Sequence, residues 1–211
     1  ADLHAQAGVL EQTGPQGSGP AIPALQIGDL LGGAMSAVAA ILAAVLQAKT
    51  RGRGSLVDVA MADAVLAHNL FPLFALAEAG DTAPRGADML TGGNANYGVY
   101  ETRDGRHLAV APLEEKFWVL FCDAVRRPDL KACYAEANTP ALDSALRKDV
   151  AAIIAARTLD EWNAVFAGVD CCVTPVLTLA EALQHPQYVA RGMSTTADGM
   201  TQFAPPFRMS G

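Results

Sequence analysis

The chain has 211 residues, 51% of them apolar and 18% charged, which excludes a disordered protein and supplies enough apolar mass for a sizeable core. Its 15 basic and 22 acidic residues leave a net charge of −7, and that argues against non-specific nucleic-acid binding, which needs a basic footprint on the phosphates. The four cysteines include the neighbours Cys171 and Cys172 but no CxxC pair, so a zinc or redox site is not indicated and reduced thiols in a cytoplasmic enzyme fit better.

In chain order, residues 1–28 are broken by Gly14, Pro15, Gly17, Gly19, Pro20 and Pro23, too often for a long element. A helix is predicted from about Asp29 to Lys49. Its stretch Leu30–Leu46 holds 17 residues without a charge, but it is mostly Ala and Gly. It therefore reads as a buried core helix rather than a membrane span, which wants about 20 strongly apolar residues. TRGRGS at 50–55 ends this helix, Ser55–Ala60 alternates as a short strand, and a second apolar helix is predicted over Met61–Ala79. Together they read as part of a covered α/β sheet.

Residues 80–93, rich in glycine, are the candidate linker between a first unit (1–79) and a smaller α+β unit (94–190), with a C-terminal return segment over 191–211. In the second unit, Asn96–Thr102 and His107–Ala111 flank the turn dipeptide Asp104-Gly105 as a hairpin. Glu114–Val125 is an amphipathic helix, and another starts at Thr139-Pro140 and runs to about Ala156. Thr158 with Glu161, and Thr178 with Glu181, are capping boxes. Asp170–Leu177 reads as a strand, and Pro175 confines it to an edge.

Few residues invite chemistry. Asp29, by spacing alone, is a helix N-cap; the same position places a carboxylate beside Gly28, Gly32 and Gly33, where a ligand can approach the backbone and helix-start amides can hold an oxyanion. Glu114 and Glu115 open a helix, as acids do for dipole reasons; at a strand end facing a cleft, one of them can also act as a general base. Tyr97 reads as a strand aromatic. His4, His68, His107 and His185 are scattered and unpaired, and Asp58 and Asp63 read as turn and capping acids, so no metal site is indicated.

The runs GDLLGG, KTRGRGSLVDVAMADAVL, APRGADMLTGGNANYGVYETRDGRHLAVAPLEEKFW and FAGVDCCVTPVL resemble family III CoA-transferases (the CaiB–BaiF group), and within it the α-methylacyl-CoA racemases. The resemblance runs collinearly from about Gly8 to Arg191. It implies an α/β fold with part of a Rossmann-like large domain followed by a smaller α+β domain, and an interlocked homodimer in the whole enzyme. It implies Asp29 as the catalytic aspartate, Glu114 as the support of a base on the opposite face of the substrate, and Tyr97 as an active-site tyrosine. Gly28, Gly32 and Gly33 would leave room for a thioester, and GADMLTGG, Met89 included, would line the acyl site.

The expected activity is epimerisation of 2-methylacyl-CoA thioesters; CoA transfer to a free carboxylic acid through Asp29 is the alternative. CoA belongs to the substrate, and no separate cofactor or metal is implied. The racemase histidine would fall just ahead of Ala1, so the chain resembles an internal piece, inactive or serving only dimerisation when isolated.

Overall fold

Glycine governs how the first third of the chain turns. The computed structural model describes residues 1–141 and 144–209. The leading segment forms two short helices, α1 (Asp2–Gln6) and α2 (Val9–Gln12), separated by Gly8 at φ +74°. A wide π-helical segment, Gly28–Met35, continues directly into α3 (Ser36–Arg51). The Ser36 hydroxyl donates to the carbonyl of Leu31, five residues back, at 2.9 Å, in keeping with the wider turn.

The predicted helix over Met61–Ala79 is two helices, α4 (Met61–Ala67) and α5 (Leu70–Ala79). Pro72 has no N–H to return to the His68 carbonyl, and Asn69 leaves the helical path to donate its amide to the Ala7 carbonyl at 3.2 Å. The predicted strand over Ser55–Ala60 does not form. These residues run without regular structure and pair with no strand among the described residues.

The prediction of a buried helix is also corrected. Within this chain, only 6% of the most apolar stretch of Gly28–Arg51 is buried, and Val38, Ile41, Leu42 and Leu46 are exposed, as are Phe71 and Phe74 of α5. The 24-residue helix is long and apolar enough to cross a bilayer, a criterion that core helices of soluble proteins also meet.

The glycine-rich segment 80–93 is held in place. Arg85 donates to the Glu11 carbonyl at 2.8 Å, to the Glu11 carboxylate at 2.9 Å, and to the Ser18 carbonyl. Gly86 sits at φ +69°, and a Cβ there would lie 2.7 Å from the Gln16 nitrogen, so only glycine lets the two loops touch.

Beyond it, β1 (Gly98–Glu101), β2 (His107–Val110) and β3 (Val173–Pro175) form an antiparallel sheet in that order, with Val99 opposite Ala109 and Ala109 opposite Thr174. β3 lies at an edge, as Pro175 requires. Helices α6 (Glu115–Ala124), α8 (Ala145–Ala155) and α9 (Leu159–Phe166) supply the rest of a core whose centre is a run of stacked rings. Trp118–Phe121, Phe121–Phe166 and Phe166–Trp162 centroids lie 5.3, 6.2 and 5.5 Å apart. Both indoles are buried and satisfied, Trp118 Nε1 on the Leu130 carbonyl (2.9 Å) and Trp162 Nε1 on the Ile154 carbonyl (2.8 Å).

Between α6 and α8, a 3₁₀ turn (Pro128–Cys133) and a single helical turn, α7 (Tyr134–Ala137), take up chain that sequence patterning left unassigned. The helix expected from Thr139-Pro140 begins only at Ala145, because Ser144 caps it by accepting from the Arg147 amide at 3.1 Å; Leu142 and Asp143 lie outside the described residues.

Both capping boxes form as predicted, opening α9 and α10 (Leu179–Gln184). Each capping glutamate also takes an arginine from the β1–β2 turn region, Arg103 to Glu161 and Arg106 to Glu181, both at 2.9 Å. After α11 (Pro186–Ala190), an exposed hairpin, β4 (Ser194–Ala197) and β5 (Met200–Phe203), occupies the C-terminal segment, whose residues Ser210 and Gly211 lie outside the described residues.

Two outcomes follow from these contacts. Trp162→Ala is expected to cost about 3–5 kcal/mol in denaturant unfolding, as deletion of a buried aromatic does. The Thr178 backbone N–H, seconded by Arg106, holds the Glu181 carboxyl down at about 2 against its ordinary value of 4.5. Its contribution is therefore complete above 4.5 and lost as pH falls towards 2. Glu181→Gln should flatten the stability-versus-pH curve across that window, measured by thermal melts.

Candidate active site

Asp29 is not the N-cap. Ile27 occupies that position, and Asp29 lies in the first turn, exposed, without a side-chain hydrogen bond or ion pair among the described residues. The glycines around it have a packing role. Gly28 and Gly32 are buried, and a Cβ on Gly32 would stand 3.1 Å from the Met61 carbonyl oxygen. The helix start thus seats directly on the backbone of α4, and a Cβ on Gly33 would meet the Met61 side chain at 3.3 Å. Two of the helix-start amides are already engaged: Gly28 donates to His4 Nε2 at 3.0 Å and Leu30 to the Gln26 carbonyl at 2.9 Å.

His4 is the residue that sequence reading passed over. It is 6% exposed, packs under Gly28, and its Nδ1 has no partner among the described residues. A lone histidine in a short helix gives no periodic or motif signal, so only the folded contact reveals it.

Glu114 and Tyr97 form a second group. Glu114 is the N-cap of α6, exposed and without a cap hydrogen bond. The loop before it is pinned from three sides: Asn96 donates to the Pro112 carbonyl (3.1 Å), Tyr134 to the Leu113 carbonyl (2.9 Å), and the Ala111 amide to the Cys172 carbonyl (3.0 Å). Asn96 is fully buried, so the turn carrying Tyr97 is tied to the loop carrying Glu114 by a bond shielded from water. Cys172, at φ +56°, has its thiol pushed up by burial, with the nearby acids Asp170 and Glu114 adding to the effect.

Tyr97 lines a cavity of about 620 Å³ whose wall includes Pro15, Leu90, Thr91, Val99 and Arg147. Met89 is 37% exposed, and its neighbours Leu90 and Thr91 form that wall in its place. No hydrogen bond or ion pair among the described residues joins the Asp29 helix start to the Tyr97–Glu114 group.

The chain belongs to CoA-transferase family III, which it matches over residues 2–211. It is 32% identical over 197 residues to the alpha-methylacyl-CoA racemase of Mus musculus, covering 92% of this chain and 50% of that protein. It is 30% identical over 205 residues to the succinyl-CoA:mesaconate CoA-transferase of Haloarcula hispanica, covering 93% and 50%. The fold is that of the crystal structure of Rv3272 from Mycobacterium tuberculosis, with a TM-score of 0.79 over 99% of this chain and 56% of that one at 20% identity. A CaiB/BaiF family protein from Brucella suis superposes similarly, with a TM-score of 0.76. The chain spans about half the length of the curated relatives it matches.

The contact at Gly32 makes a direct test of how Asp29 is held. Gly32→Val should push α4 away from the helix start and cost about 1–3 kcal/mol, as overpacking does, read by denaturant unfolding of the full-length protein.

Proposed function

We propose that the protein containing this chain epimerises 2-methylacyl-CoA thioesters by removing and returning the proton at the α-carbon. The observation that carries this reading is the pair of exposed carboxylates, Asp29 and Glu114, each at a helix start and each without a side-chain hydrogen bond or ion pair among the described residues. Free carboxylates can exchange protons, whereas Glu161 and Glu181 are tied to arginines and backbone amides. The thioester carbonyl acidifies the α-proton. Asp29 would take or return it on one face, Glu114 would support the base acting on the other, and Tyr97 would line the acyl side. A 1,1-proton shift needs groups on both faces, and it needs no cofactor beyond the CoA carried by the substrate.

Because the Asp29 and Glu114 groups are not joined within the chain, we propose that they meet across an interlocked pair of copies. The exposed apolar faces of α3 and α5 would then be covered by the rest of the large domain and by the second copy.

The 30% identity to a CoA-transferase favours a second reading, in which Asp29 attacks an acyl-CoA and carries the acyl group and CoA in turn. In the full-length protein, Asp29→Asn should lower activity by about 10²-fold or more under either reading. Glu114→Gln separates them: epimerisation should fall by about 10²-fold, while CoA transfer would be unaffected. Capture of an Asp29 acyl species by hydroxylamine during turnover, with Glu114→Gln fully active, would replace the first reading by the second.

A further inference from the structure

We infer that His4 is a positioning residue for Asp29. The inference rests on the proposed role of Asp29, and its support comes from the geometry of the helix start. The Gly28 amide donates to His4 Nε2 at 3.0 Å. A nitrogen that accepts from an N–H carries no proton, so the ring is neutral with its proton on Nδ1. That Nδ1–H is buried without a partner among the described residues, in a side chain only 6% exposed. The ring is therefore held in an environment that leaves a donor unsatisfied, and the contact it keeps is the one to the residue immediately before Asp29.

The surroundings give the contact its leverage. Helix starts leave backbone N–H groups without an intrahelical partner, and here one of them is fixed by a ring projecting from a separate helix. Gly28 has no side chain to hold it: an added Cβ would sit 3.6 Å from His4 Nε2, 3.7 Å from the Leu3 side chain and 3.9 Å from Val65. α1, α4 and the helix start thus converge on Gly28, and the hydrogen bond that its amide donates to His4 fixes the backbone from which the next residue leaves. The ring itself is not a second base. Nε2 is engaged, the ring is buried, and nothing aims it at the exposed carboxylate. Small displacements of a reacting group cost large factors in rate, so loosening this contact should show in turnover before substrate binding.

The test uses the full-length protein with His4→Leu, which keeps the bulk and removes the acceptor, and His4→Gln, whose amide oxygen can reach the place of Nε2. Epimerisation of 2-methylacyl-CoA is measured as separate kcat and KM values, with CoA transfer to a carboxylic acid measured in parallel. His4→Leu should lower kcat by about tenfold to a hundredfold with KM within about twofold, and His4→Gln should recover most of the loss at comparable thermal stability. Nitrogen NMR of the His4 imidazole should show the Nδ1–H form, and the Gly28 amide resonance should shift in His4→Leu. Unchanged kcat in His4→Leu, no recovery in His4→Gln, or a proton on Nε2 overturns the inference while wild-type activity stands. A wild-type protein inactive in both assays overturns the functional reading instead, and the NMR result then decides whether the His4–Gly28 contact exists.

Discussion

Everything at the front of the molecule depends on the absence of a side chain at Gly32. The Met61 carbonyl sits where a Cβ would come within 3.1 Å, so the first turn of the long helix rests directly on the backbone of α4. That close seat, the wide π-helical turn above it and the His4 contact on the Gly28 amide together leave Asp29 facing outwards. A helix that began with ordinary residues would stand off from α4. Glycine here serves the contact between two pieces of protein, and the open carboxylate is the consequence.

The part of the chain from β1 to α9 solves a different problem by different means. Its stacked Trp118, Phe121, Phe166 and Trp162 rings make a rigid centre, and the buried Asn96 ties the turn carrying Tyr97 to the loop carrying Glu114. The carboxylates divide into two kinds accordingly. Glu161 and Glu181 are consumed in capping boxes and arginine pairs, and backbone amides hold both below the usual glutamate range. Asp29 and Glu114 have no such partners, although both stand at helix starts. A place at a helix start is therefore not enough to make an acid structural; its side-chain bonds decide.

The sequence was most informative where chemistry is local. The capping boxes at Thr158 and Thr178, the Asp104-Gly105 hairpin and the edge strand ended by Pro175 all lie where turn and capping rules put them. It was least informative where an element depends on a distant partner. Ser55–Ala60 has strand-like alternation but pairs with no strand among the described residues, and the apolar helix ending at Arg51 has core composition but little to bury it within this chain. The break at His68–Asn69 turned on one proline and one asparagine side chain inside an otherwise helical pattern. Family membership was legible from motifs, and Asp29, Tyr97 and Glu114 stand out through those motifs rather than through periodicity. His4 stood in no pattern, because its significance is a contact 24 residues along the chain.

The central claim is proton chemistry at the α-carbon, and isotope exchange addresses it most directly. The full-length protein would be incubated with (S)-2-methylacyl-CoA in deuterated water, without a free carboxylic acid, and deuterium at the α-carbon followed together with the configuration of the product. The account predicts label entering as the opposite epimer forms. An α-carbon that stays unlabelled, while CoA moves as soon as a carboxylic acid is added, would contradict it.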